Sequence, residues 1–288
     1  MQLLKLLFVT SRPVSWVNTA YPFAAGYLLS GGALDARFWI GTLFFLISYN
    51  LLMYGVNDVF DYESDIRNPR KGGIEGAVTP KKYHSAILYA CVLLCVPPVL
   101  ALILLGNATA NITLAAVLFF VVAYSVKGLR FKEVPVLDSI TSSLHFTGPL
   151  LYALALNGFT TEFLPYIIAF FLWGLASHAF GAVQDINPDR EAGIHSIATV
   201  FGAKATVYFA LTLYTISAIL VGLQGGLSLI VAIAGLGYVA NSKRCAIHKH
   251  NRRNLRRCTR RLAAIYMGEL CRWCRCNNLP NTGATVAP

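Results

Sequence analysis

Charge is scarce in this sequence. Asp, Glu, Lys and Arg together make up 13% of its 288 residues, against 56% hydrophobic residues. A soluble domain carries roughly 25% charged residues, so the shortage excludes an ordinary soluble protein and points to a chain built for a bilayer. Cysteine is nearly missing from most of the chain. Before residue 245 there are only Cys91 and Cys95, both in one apolar stretch, which excludes a disulfide framework there. A cleavable signal is not expected either. The first apolar stretch, Leu3 to Val9, is short, and no small-residue cleavage site precedes Ser11-Arg12-Pro13.

What charge exists is unevenly placed. The formal net charge is +11, yet residues 243–288 hold eleven Lys/Arg and one acid, Glu269. The preceding residues carry thirteen basic against twelve acidic side chains and are close to neutral. No nucleic-acid partner is expected.

Spanning a bilayer takes about 20 apolar residues. Eight candidate spans meet or approach that length: 13–30, 38–56, 84–105, 109–125, 134–154, 163–183, 205–223 and 227–241. The fold class expected is therefore all-α, a multi-span transmembrane helical bundle. The connections at 106–108, 155–162 and 224–226 lack Lys and Arg altogether, and 31–37 has only Arg37. The alternate connections are basic, with Arg67, Arg70, Lys71, Lys81 and Lys82 in one, Lys127, Arg130 and Lys132 in the next, and Arg190 and Lys204 in the last. The positive-inside rule then places the N-terminus and every basic loop on the cytoplasmic side, in a bacterial plasma membrane on this reading.

Seven of the twelve acids outside the tail fall in two short stretches at that face. The first is Asn57-Asp58-Val59-Phe60-Asp61-Tyr62-Glu63-Ser64-Asp65, at the end of the second span. Asp58, Asp61 and Asp65 follow i, i+3, i+7 spacing, which puts them on one helical face, and Asn57 joins that face as a neutral oxygen donor. The second is Gln184-Asp185-Ile186-Asn187-Pro188-Asp189-Arg190-Glu191, at the end of the sixth span, with Asp185 and Asp189 four apart. Converging carboxylates repel unless a cation intervenes. Mg²⁺ prefers oxygen ligands and usually sits between one or two carboxylates and a substrate phosphate. Arg and Lys on the same rim can hold the remaining diphosphate oxygens. A single such cluster would be read as helix-end solvation; two on one face, flanked by basic residues, favour a functional site.

These residues resemble the UbiA superfamily of intramembrane prenyltransferases. Its N-D-x-x-D-x-x-x-D motif matches Asn57, Asp58, Asp61 and Asp65, and its D-x-x-x-D motif matches Asp185 and Asp189. Ala192-Gly193-Ile194, Thr199 and Gly202 resemble the stretch that follows the second motif, and Tyr124-Ser125 with Lys127 and Arg130 resembles a basic loop after the fourth helix. Ser11-Arg12-Pro13 through Trp16, Tyr21-Pro22, Asn57 to Gly73, and Gly181 to Thr199 are most similar to bacterial lycopene elongases. The resemblance implies Mg²⁺ held by Asp58, Asp61, Asp65, Asp185 and Asp189. It implies a diphosphate gripped by Asn57, Arg70, Lys71, Lys127 and Arg130, an isoprenyl diphosphate donor (dimethylallyl) and a lipophilic acceptor, lycopene. A quinone, haem, chlorophyll or lipid acceptor is the alternative; Asn68-Pro69-Arg70-Lys71 departs from the phrase of quinone-pathway members. A transporter is a distant third reading, since transporters place ionisable groups near the midplane.

Tyr54, Tyr62, Tyr124 and Phe180 lie near the motif ends and could wall an allylic cation, although packing is the plainer role for each. His178, seven residues before Asp185, and His145, seven after Asp138, are candidate proton acceptors. The superfamily has nine helices, so residues 1–241 form the expected prenyltransferase domain and 242–288 a basic, Cys-rich tail where the ninth should stand. Three readings compete for that tail: a lipid anchor, a zinc site, and out-of-frame translation, which the abrupt change of composition favours.

Overall fold

The computed structural model describes residues 2–66, 78–226 and 228–247, all-helical with no strand among them. Arg70 and Lys71, and the tail after Ile247, lie outside the described residues. A short N-terminal helix, α1 (Gln2–Thr10), precedes eight longer ones. They are α2 (Val17–Leu29), α3 (Ala36–Phe60), α4 (His84–Leu105), α5 (Ala108–Ser125), α6 (Leu137–Asn157), α7 (Leu164–Ala182), α8 (Ile197–Gly222) and α9 (Ser228–Ile247). Each of the eight expected spans has its helix. Five (α3, α4 with its leading turn, α5, α7 with its leading turn, and α8) are long and apolar enough to cross a membrane. Large apolar side chains face outward, as at Leu104, 85% exposed, which suits contact with hydrocarbon.

α6 falls outside those five because its first half is rich in polar residues that are nonetheless buried. Asp138, Ser139, Thr141, Ser143, His145 and Thr147 are all enclosed. Their hydrogens find carbonyls: Thr141 donates to Leu137, Thr147 to Ser143, and Ser143 Oγ to the Phe171 carbonyl of α7 at 2.6 Å. A buried hydroxyl is tolerable when so partnered. α6 packs on α2, α5 and α7 and so joins two groups of helices. On one side Phe23, Tyr27, Phe45, Tyr49 and Tyr152 stack in the core of α2, α3 and α6. On the other, Ala176, Phe180, Val207, Ala210, Tyr214 and Tyr238 tie α7, α8 and α9 together.

Three local irregularities set helix directions. α3 contains a π-helical turn at Phe44–Ser48, the kind of insertion that frees a carbonyl from its helical partner. The Phe45 carbonyl accepts from Thr19 Oγ1 at 2.7 Å and Asn50 Nδ2 at 2.8 Å, which satisfies it across to α2. α6 and α7 approach at Gly174, where an added Cβ would stand 2.4 Å from Ser143 Oγ. α8 breaks at Gly202, whose φ of 79° and ψ of 163° are open to glycine and costly for an L-residue. The expected seventh span, 205–223, therefore has an extra turn in front of it, Ile197 to Phe201, set at its own angle.

Candidate active site

The first acidic motif sits where α3 ends. Helical hydrogen bonding continues past Phe60, from Asp61 N to the Asn57 carbonyl and from Asp65 N to the Asp61 carbonyl, through the short helix Tyr62–Asp65. The three aspartates thus keep the one-face spacing read from the sequence, and all are buried. Buried carboxylates demand cations. Arg12 Nη2 meets Asp58 Oδ1 at 2.8 Å and lies with its guanidinium 4.1 Å from the centre of the Tyr54 ring. Lys132 Nζ contacts Asp61 Oδ1, and Arg130 Nη2 stands 3.7 Å from the same oxygen while also pairing with Glu133. Asn57 Oδ1 accepts from Ser125 Oγ at 3.1 Å, which ties the motif to the end of α5.

Arg12 and Arg130 both hold left-handed backbone, φ 51° and 43°. Such conformations in non-glycine residues cost of order 1–3 kcal/mol and cluster at working sites. Here each one turns a guanidinium back over the bundle end. Val136, φ 73°, closes the same loop at the start of α6.

The second motif lies just beyond α7. A turn at Val183–Asp185 leads into the short helix Ile186–Glu191, where Asp189 N donates to the Asp185 carbonyl at 2.8 Å. Ser196 Oγ donates to Asp189 Oδ2 at 3.4 Å, and Arg190 Nη2 donates to the Thr199 carbonyl at 3.1 Å, so the motif is fastened to the start of α8. Lys132 connects the two motifs. Its ammonium touches Asp61 and lies within electrostatic reach of Asp58 and Asp189. Burial pushes its pKa down to about 8, against the pull of those neighbouring carboxylates.

Beneath the motifs, Tyr124 Oη and His178 Nε2 are 3.1 Å apart, and His178 Nδ1 is 3.0 Å from Ser139 Oγ. His145 packs edge-on to Tyr124 and directs Nε2 at the Phe120 carbonyl. Asp138 does not join either histidine through a hydrogen bond. Its oxygens accept from Ser139 N and from Ile197 N, the first residue of α8.

A family model described as the UbiA prenyltransferase family matches residues 19–268. The lycopene elongase/hydratase of Corynebacterium glutamicum is 48% identical over 246 residues, covering 85% of this chain and 86% of that protein. The C(50) beta-cyclic carotenoids biosynthesis protein LbtBC of a Dietzia species is 55% identical over 214 residues, 74% of this chain and half of that longer protein. Among solved structures, a UbiA homolog from Archaeoglobus fulgidus bound to GPP and Mg²⁺ superposes with a TM-score of 0.67 at 19% identity, covering 92% of this chain and 96% of the other. The same homolog bound to DMAPP and Mg²⁺ gives 0.64 at 18% identity, with 84% and 85% covered. This chain belongs to the UbiA prenyltransferase family.

It is a prenyltransferase with the family's helical membrane fold. Two basic residues at this site of the UbiA-family chain were not in the sequence-based diphosphate set: Arg12 and Lys132. Arg12 is 46 positions from the carboxylate it meets, so spacing carried no signal for it. Lys132 could have been found from its place in the basic loop. Of the set that was named, Arg130 reaches Asp61, whereas Lys127 is exposed and makes no ion pair among the described residues. Among the aromatics, Tyr54 lies under Arg12 and Tyr124 meets His178, while Phe180 is 1% exposed in the core. No group of three His, Cys, Asp or Glu side chains closes into a metal site among the described residues. The donors that line the site are nonetheless all hard oxygens, and Mg²⁺ characteristically takes only one or two carboxylates beside phosphate and water.

Proposed function

We propose that this enzyme transfers a dimethylallyl group from its diphosphate to a terminal double bond of lycopene, with Mg²⁺ as cofactor. The observation that carries the reading is that the largely enclosed Lys132 meets Asp61 of the first motif and lies within electrostatic reach of Asp189 of the second. The strong identity to named lycopene elongases supports the acceptor, and the fold shared with a protein bound to DMAPP and Mg²⁺ supports the donor class.

In this reading Asp58, Asp61, Asp65, Asp185 and Asp189 hold the metal, directly or through water. Asn57, Arg70, Lys71, Lys127 and Arg130 hold the diphosphate, joined by Arg12 and Lys132. Bound Mg²⁺ supplies charge neutralisation at the diphosphate. The C–O bond of the donor breaks with its electron pair leaving on the diphosphate, where preorganised cations are worth most. The acceptor double bond then supplies the pair for the new C–C bond and is left as a tertiary cation. The motif face is the cytoplasmic one, by the distribution of Lys and Arg.

The test is to incubate membranes containing the protein with Mg²⁺, labelled dimethylallyl diphosphate and lycopene. Prenylated carotenoid is expected, and its absence defeats the acceptor assignment. Full activity in Asp61→Ala or Asp185→Ala would instead defeat the metal assignment.

A further inference from the structure

We infer that His178, oriented by Ser139 and reached through Tyr124, is the proton acceptor that ends the transfer. This rests on the prenyl-transfer reading and extends it to the last step.

The reaction leaves a carbocation, which must lose a proton or be captured by water. Either way one proton needs a destination. His178 lies four residues before the end of α7 at Ala182, about 6 Å deeper along that helix at 1.5 Å per residue, and the second motif follows after a turn. Tyr124 is next to Ser125, the residue that hydrogen-bonds Asn57 of the first motif. The Tyr124–His178 pair therefore lies under both motifs. Both side chains keep accessible surface within the bundle, whereas Ser139 is fully buried behind the imidazole.

The other buried groups have no hydroxyl relay. His145 Nε2 faces a carbonyl, which only accepts, so that nitrogen carries its hydrogen, and the ring meets Tyr124 edge-on rather than through a hydroxyl hydrogen bond. Both oxygens of Asp138 accept backbone N–H groups. His178 differs in that each ring nitrogen meets a hydroxyl, and hydroxyls can donate or accept. With Nδ1–H donating to Ser139, Nε2 accepts from Tyr124 and is open to protonation. A C–H bond beside the cation breaks and its electron pair becomes the new C=C bond. The proton goes to Tyr124 Oη as the phenol's own proton passes to Nε2. If water attacks instead, a C–O bond forms and the surplus proton follows the same route.

The experiment measures three quantities in the same membranes: diphosphate released, prenylated carotenoid formed, and the alkene-to-alcohol ratio of the product. Wild type is compared with His178→Gln, Tyr124→Phe and Ser139→Ala. Removing a general base costs roughly 10²–10⁴-fold. In His178→Gln, prenylated product should fall about a hundredfold while diphosphate release falls far less, and the product ratio should shift. Tyr124→Phe keeps the ring and its packing on His145, so it guards against misfolding and should shift the ratio in the same direction. A proportional fall of product and diphosphate release with an unchanged ratio in all three variants overturns the inference. So does unchanged product yield. If wild type releases diphosphate without prenylating lycopene, the acceptor assignment fails. The ratio of five-carbon alcohol to diene formed from donor alone then decides the role of His178, an unchanged ratio in His178→Gln overturning it.

Discussion

Asp61 shows how a residue's meaning depends on what surrounds it. In isolation it is one acid at a helix end. In the folded chain it faces Lys132 and Arg130, both delivered by a loop more than sixty residues away. Ion pairs this enclosed are costly to break from one side only, because the remaining charge stays buried. Lys132→Met should therefore lower diphosphate release by roughly 10²-fold, more than Lys127→Met, whose side chain is exposed. Release assays on the two variants give the comparison, and equal effects would contradict the geometry. Arg12→Ala belongs with Lys132→Met: it removes the one guanidinium that both meets Asp58 and lies over Tyr54. Sequence spacing did identify the aspartates, because carboxylates on one helical face are a local property. It could not identify Arg12, whose partner is set by packing of the N-terminal segment on α3.

At the scale of elements, the site depends on two helices ending in the right places. α6 and α7 touch at Gly174, so Gly174→Ala must push Ser143 or the helices apart. Overpacking of this kind costs about 1–3 kcal/mol, and should lower the thermal unfolding midpoint and activity together, since α7 carries the second motif. Gly202→Ala acts differently. Its Cβ meets nothing within 4 Å, but φ of 79° with ψ of 163° is strained for alanine by about 1–3 kcal/mol. A lower melting temperature in detergent is expected, with the loss concentrated at the start of α8 where Ser196 and Thr199 fasten the second motif. Helix existence was legible from apolar runs, which is why each expected span has a helix. The π-helical turn in α3 and the break in α8 were not. The first arises where the Phe45 carbonyl finds a partner on α2, and the second from a glycine backbone conformation that an apolar run does not record.

For the molecule as a whole, sidedness and metal dependence make the testable statements. Phe159 and Leu129 are 51% and 44% exposed, in connections on opposite faces by the alternation of basic loops. In a cysteine-free background, Phe159→Cys should react with an impermeant thiol reagent added to intact cells, and Leu129→Cys only after the membrane is opened. The reverse pattern would invert the topology. Chelation of divalent metal should abolish diphosphate release, and Mg²⁺ should restore it. The family model's match runs to residue 268 and α9 runs to Ile247, both past the boundary placed at 241. Reading the coding DNA of the tail in its other frames remains the direct check on an out-of-frame origin: an apolar helix in one of them is expected.

The sequence by itself determined the all-helical class, the spans and the two acidic motifs. Each of these is encoded by periodicity or composition within one segment and needs no partner to be read. Tertiary structure decided which cations answer the aspartates, that Lys132 joins the motifs, and that His178 stands between two hydroxyls rather than alone on an apolar helix. Those pairings come from helices brought together by the buried polar side of α6 and the close approach at Gly174, and no one-dimensional pattern records such distances.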